Sequence, residues 1–229
     1  MNAKRTVMIR KVKKFKKDGK PGFLRIYFMD NQEVAKEILD SEFELIEQKG
    51  YIPDGMVEEY NTRNKLYFRA SYKNGKRHGK SLIFYDTGNI KVEKEYKFGL
   101  LNGFVKTYDP DGQISKEMIY LEDIQNGLER VYFPDRTIKE INSYVNGYKA
   151  GKALAYDMNG NLDNESYYKK GRLHGNKTSY HTNGEISFVA PYKMDELHGN
   201  YEKYNKNGFL QEVWKYENGV LKSKKFHNK

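Results

Sequence analysis

Residues 168–192 read YKKGRLHGNKTSYHTNGEISFVAPY, and Tyr192 opens the next copy of the same frame. Tyr72, Tyr96, Tyr120, Tyr144, Tyr168, Tyr192 and Tyr216 stand 24 residues apart. Gly79, Gly103, Gly127, Gly151, Gly175 and Gly199 keep that spacing. So do the aromatics Phe84, Tyr108, Tyr132, Tyr156, Tyr180 and Tyr204, and the aliphatics Ile90, Ile114, Ile138, Leu162, Ile186 and Leu210. A fifth register holds Gly88, Gly112, Arg136, Gly160, Gly184 and Gly208. One period upstream, Gly55, Tyr60 and Leu66 keep the frame, so a degenerate copy starts near Gln48. A fixed period of this length is the signature of a repeat architecture.

Each copy reads as a β-hairpin. Asp111-Gly112, Asn159-Gly160, Asn183-Gly184 and Asn207-Gly208 mark its turn, because glycine supplies the positive φ that a tight turn needs. Asp109-Pro110-Asp111-Gly112 fits a type I turn closed by a glycine bulge. A looser loop, such as Lys73–Gly79, is expected between hairpins. Stacked copies advance by two strands, roughly 10 Å each. The expected fold is all-β: an elongated, single-layer antiparallel array of hairpins over residues 48–229.

The pattern Tyr-Lys-Asn-Gly-x-x-His-Gly of residues 72–79, followed by an aromatic, Asn-Gly, an aliphatic and Tyr, resembles the variant MORN repeat. Residues 72–96, 168–192 and 192–216 carry the resemblance best, and it extends over about residues 48–229. It implies a hairpin array that binds another protein. More specifically, it implies the antitoxin or immunity component of a toxin–antitoxin system, whose partner is a cognate toxin. It also brings anionic lipid into view as an alternative ligand.

Residues 1–47 fall outside the frame and are expected to form an N-terminal cap. Thr6–Phe15 and Phe23–Met29 read as a basic hairpin. Ala35, Ile38, Leu39, Phe43 and Ile46 have helix-like spacing, which predicts a short acidic helix or loop near 32–40. A cap of this kind covers the bare edge of the first hairpin.

Among the 229 residues, 38% are hydrophobic and 20 are Tyr, so the core is thin and built on half-exposed aromatics. No apolar run is long enough for a membrane helix, and no leader pattern opens the chain. Cysteine is absent, which excludes disulfides and thiolate chemistry and fits a cytoplasmic protein. The net charge of +10 is uneven: residues 1–30 are strongly basic and residues 31–60 strongly acidic.

No cofactor or metal is expected, and no enzyme: neither a nucleophile–base order nor a phosphate loop is present. His78, His174 and His198 share one register, but copies roughly 10 Å apart cannot bring two ring nitrogens onto one zinc. Loop hydrogen bonding is the reading that remains for them. The basic run Arg10, Lys11, Lys13, Lys14, Lys16 and Lys17 is the candidate for nucleic acid or another anionic ligand. Its alternative is a solvated strand facing the acidic stretch Glu33–Glu59. Specificity in a repeat array should come from copies that differ, and the copy from Tyr120 to Tyr144 differs most. There Asp123 replaces a loop glycine and Phe133-Pro134-Asp135-Arg136 replaces the Asn-Gly turn. Arg136, Asp123 and Phe133 are therefore the candidate partner contacts, with drift in a tolerant turn as the alternative.

Overall fold

A computed structural model describes residues 7–17, 19–29, 32–41, 45–61 and 63–227, with the side chains of all of these except 7–12, 15 and 17. The described residues form strands and turns without a helix, in two compact units, Met1–Gly112 and Gln113–Lys229. The first unit holds β1 (Val7–Lys17), β2 (Lys20–Met29), β3 (Gln32–Leu39), β4 (Leu45–Gly50), β5 (Gly55–Tyr60), β6 (Leu66–Lys73), β7 (Lys76–Phe84), β8 (Ile90–Lys97) and β9 (Leu100–Tyr108). The second holds β10 (Ile114–Leu121), β11 (Ile124–Gln125), β12 (Gly127–Tyr132), β13 (Ile138–Val145), β14 (Tyr148–Tyr156), β15 (Leu162–Lys169) and β16 (Arg172–Tyr180). It continues through β17 (Ile186–Lys193), β18 (Glu196–Leu197), β19 (Gly199–Tyr204), β20 (Leu210–Glu217) and β21 (Val220–Phe226).

The array is the open, antiparallel run of hairpins that the period predicts. The turn glycines 112, 160, 184 and 208 take φ of +83°, +81°, +85° and +78°. Gly112 N–H donates to Asp109 O at 3.0 Å and Gly160 N–H to Asp157 O at 3.0 Å. Side chains reinforce these turns: Asp109 Oδ1 accepts from the Asp111 N–H, and Asp157 Oδ1 from the Asn159 N–H.

The other end of each hairpin corrects the expectation of a looser loop. Lys73 pairs directly with Lys76, and the two residues between them, Asn74 and Gly75, have φ of +52° and +71°. This is the primed two-residue turn that Asn-Gly favours, because its twist matches that of the strands. Gly79 and its copies are not loop residues either. In β9, residues 102–104 oppose the single residue Glu95 of β8, so Gly103 sits in a β-bulge with φ +128°. A Cβ there would lie 2.9 Å from the Glu95 Cβ, and every glycine of this register has positive φ, which favours glycine throughout.

Residues 32–40 are also corrected. The expected helix is strand β3, with Ala35, Glu37 and Leu39 buried on one face. Glu37, a charged residue in the expected helix, is buried in this strand. Its partner lies on the neighbouring strand: Arg25 of β2 donates to Glu37 Oε2 at 2.7 Å, and both side chains are about 2–3% exposed. The basic hairpin is present as β1–β2, paired from Ile9↔Phe28 to Lys17↔Lys20. Strand β1 pairs in parallel with β5 through Val7↔Met56, Met8↔Val57 and Ile9↔Glu58, and so covers the first edge of the array. Strand β4 runs across position 47/48.

The sheet of the first unit curls until β2 and β3 lie over β5 and β6. Tyr27, Ala35, Ile52, Val57, Phe68, Ala70 and Tyr72 form one buried cluster there. Its centre is polar and largely hydrogen-bonded, although the buried Arg25 Nε has no hydrogen-bond partner among the described residues. Tyr27 donates to Glu37 at 2.6 Å, the Tyr27 and Tyr72 hydroxyls are 2.9 Å apart, and the Arg25 guanidinium lies over the Phe68 ring. In the second unit the buried positions are small or polar: Asn142, Ala153, Ser166, Thr178 and Ala190. Cross-strand pairs such as Lys152–Glu165 and Lys203–Glu212 line its surface. Each exposed pair of this kind adds at most about 1 kcal/mol, so the second unit is held together by repetition rather than by one deep core.

Candidate interaction surface

Hydrogen bonds between adjacent copies fix the tight turns of the second unit in a row. Gly147 N–H donates to Gln125 O, Gly171 N–H to Lys149 O, Asp195 N–H to Leu173 O and Gly219 N–H to Leu197 O, each at 2.8–2.9 Å. The cross-strand pairs next to the turns are thereby held in place. Two of them are apolar and exposed: Leu121↔Ile124 at 51% and 48%, and Val145↔Tyr148 at 52% and 60%. A Cβ built on Gly147 would lie 3.8 Å from Ile124 Cγ2, which places the two pairs on neighbouring turns of one edge. Contiguous apolar surface of this kind marks an interaction site, whereas single exposed residues do not.

Beside the band the edge turns basic. Lys169, Lys170, Arg172 and Lys193 are exposed there. Lys149 lies with its ammonium 4.3 Å from the centre of the Tyr168 ring. Burial lowers its pKa below the usual lysine value, against the opposing pull of Glu140 and Glu129. An open groove of about 820 Å³ runs along this stretch.

The three candidate contacts of the divergent copy do not come together. Asp123 sits in the tight turn Glu122-Asp123, with φ +65°, between Leu121 and Ile124. Arg136 lies at the opposite end of β12, with φ +75° and its N–H donating to Phe133 O at 2.9 Å. The nine residues of 124–132 separate them by about 30 Å. Phe133 stays with Arg136 and carries Lys139 over its ring at 5.8 Å. Only Asp123 belongs to the apolar edge. That edge has its own signal in the sequence. Leu121 and Val145 occupy a register that holds lysine at 73, 97, 169 and 193.

Two of the three register histidines make hydrogen bonds between copies, while the buried His174 Nδ1 has no hydrogen-bond partner among the described residues. His78 Nδ1 accepts from the Phe98 N–H at 3.4 Å, and His198 Nδ1 accepts from the Asn218 N–H at 3.3 Å. Of the N-terminal basic run, Lys13, Lys14 and Lys16 are exposed, and Lys14 and Lys16 line a groove of about 470 Å³ with Phe23. The side chains of Arg10, Lys11 and Lys17 lie outside the described residues. In the acidic stretch, Glu33 pairs with Lys36, Glu47 with Lys49 and Glu58 with Arg69.

The described residues thus form a repeat-built hairpin protein with an apolar turn edge and a basic flank. Residues 77–98, 101–122 and 173–194 match the MORN repeat variant. No curated protein matches it.

Proposed function

We propose that the protein is a non-enzymatic binding protein that uses the tight-turn edge of its second unit to hold another protein. The observation that carries this reading is the band Leu121, Ile124, Val145 and Tyr148, four large apolar side chains exposed side by side. Burying such a side chain fully contributes about 1.5–3 kcal/mol, and a central apolar cluster with a charged rim is the usual make-up of a binding hot spot. MORN repeats bind proteins or membrane lipids, and both fit an apolar edge. A cognate toxin as the partner, and so an antitoxin or immunity role in the cytoplasm, rests on the resemblance of residues 72–96, 168–192 and 192–216 to bacterial antitoxin components. Nucleic acid or anionic lipid at Lys13, Lys14 and Lys16 is the alternative.

The test is capture with a photo-crosslinking residue at position 128, beside the band. A specific protein cross-linked by the wild type and lost in Leu121→Asp/Ile124→Asp, with unchanged circular dichroism, supports the reading. Equal capture by both forms removes the edge as the binding surface. Nucleic acid recovered in place of protein, with affinity falling steeply as salt rises, replaces the reading with the alternative.

A further inference from the structure

The groove beside the apolar band lies where one repeat position carries only a methyl group. The register in question holds His78, Asn102, Asn126, Ala150, His174 and His198. At 78 and 198 the histidine ring reaches the tight turn of the next copy. His78 meets the Phe98 N–H and lies 5.0 Å from the Phe98 ring, and His198 meets the Asn218 N–H. At 150 the residue is alanine, and nothing fills the equivalent space in front of Lys170. Val145, Tyr148, Ala150, Tyr168, Lys170 and Arg172 line the resulting groove, with Met194 at its far end.

The charge along the row of turns is segmented. Glu122-Asp123 makes one exposed turn acidic, and Asp195-Glu196 makes another acidic. Between them the edge carries Lys169, Lys170 and Arg172 and no acidic turn. Arg172 Nε stands 4.0 Å from Asp195 Oδ2, a loose contact at the boundary of the basic stretch. The two acidic turns are three copies apart, or about 30 Å. A flat anionic surface seated on this edge would meet both. A narrow acidic segment lying between them would meet only the cations.

We infer that the Ala150 groove is a docking site for an extended acidic segment of a partner protein, about six residues long, that places an aliphatic or aromatic side chain against Ala150 and Tyr148. The length follows from roughly 3.3 Å per extended residue and the about 20 Å between the acidic boundaries once the turns themselves are excluded. The apolar floor supplies the contact, and Lys170 and Arg172 supply register and encounter rate. This rests on the protein-binding reading above and names the chemistry of its ligand.

The probe is a fluorescein-labelled peptide Glu-Leu-Glu-Phe-Glu-Leu, titrated with the full chain and followed by anisotropy. Saturable binding is expected, about tenfold or more weaker in Ala150→His, which restores the residue found at 78, 174 and 198 and fills the groove. Lys170→Glu/Arg172→Glu is expected to weaken it at least as far, while Arg136→Gly leaves it unchanged. Equal affinity of wild type and both groove variants overturns the proposal. So does failure to bind the peptide by a wild type that sediments with phosphatidylcholine–phosphatidylserine vesicles. If a cross-linked partner is retained by Ala150→His but lost in Leu121→Asp/Ile124→Asp, the groove is wrong and the wider reading stands.

Discussion

Replacing Glu37 with glutamine tests whether the buried ion pair holds the first strands over the array. The substitution preserves the shape of the side chain and leaves an oxygen for the Tyr27 hydroxyl, now 2.6 Å away. It removes the only charge paired with Arg25 at 2.7 Å, at a site where both side chains are about 2–3% exposed. A guanidinium left without a counter-charge in such a place costs about 3–5 kcal/mol, and the retained hydrogen bond favours the lower end. A repeat protein need not unfold in one step, so a global melt is the wrong readout. Peptide-level hydrogen exchange over residues 20–39 reads the cap directly. A loss of about 3 kcal/mol corresponds to roughly a hundredfold or greater loss of protection. The double variant Arg25→Met/Glu37→Leu should recover most of it, since removing both charges leaves neither unpaired. The pH dependence has a definite sign. Burial by itself raises the Glu37 pKa, but Arg25, Arg77 and the Tyr27 hydroxyl outweigh it, and the folded value lies below the ordinary 4.5. The pair's contribution is therefore complete above the ordinary carboxylate range and is lost as pH falls through the depressed folded value. Protection that changes less than about fivefold in Glu37→Gln would refute the view that this pair fastens the cap.

Gly184→Val should cost about 1–2 kcal/mol, read by urea unfolding, because φ is +85° and no atom lies within 4 Å of the added Cβ, so backbone strain acts alone. Arg136→Gly should raise the thermal midpoint slightly, by relieving up to about 1 kcal/mol of strain at φ +75° in an exposed turn. In a phenolate absorbance titration Tyr204 should ionise near pH 12: its hydrogen bond to Glu202, partial burial and the carboxylate charge push its pKa up to about 12. Glu202→Gln should return it towards 10. Because the folded form keeps this proton, the associated stability is present below pH 10 and declines as pH rises towards 12.

The period made the array legible, since Tyr, Gly and aliphatic columns recur without a slip and Asn-Gly or Asp-Gly signals the turns. What stayed hidden depends on partners distant in sequence. Glu37 reads as a surface residue until Arg25 and Tyr72 are beside it, and without it the alternation of β3 cannot be seen. The tight turns Phe98-Gly99, Glu122-Asp123 and Met194-Asp195 carry no common dipeptide, although all six residues have positive φ. The bulge at Gly103 shows in sequence only as a repeated glycine spacing, because the three-against-one pairing with Glu95 depends on the neighbouring strand. Among site residues, Arg136 drew notice by replacing a glycine. Leu121, Val145 and Ala150 break their columns just as clearly, but the breaks swap lysine or histidine for ordinary apolar residues. Their exposure on one edge is what gives them meaning.

The parallel pairing of β1 with β5 also fixes the order in which the protein assembles during synthesis. Each hairpin of the array can close as soon as its own residues emerge, because its strands are joined by a few turn residues. Val7 must wait for Met56, about 50 residues later, and closing that loop carries a larger entropic cost. Until then the β5 edge is an open pairing site on a nascent chain. The slowest and most aggregation-exposed step of this pairing is thus the docking of β1 on β5.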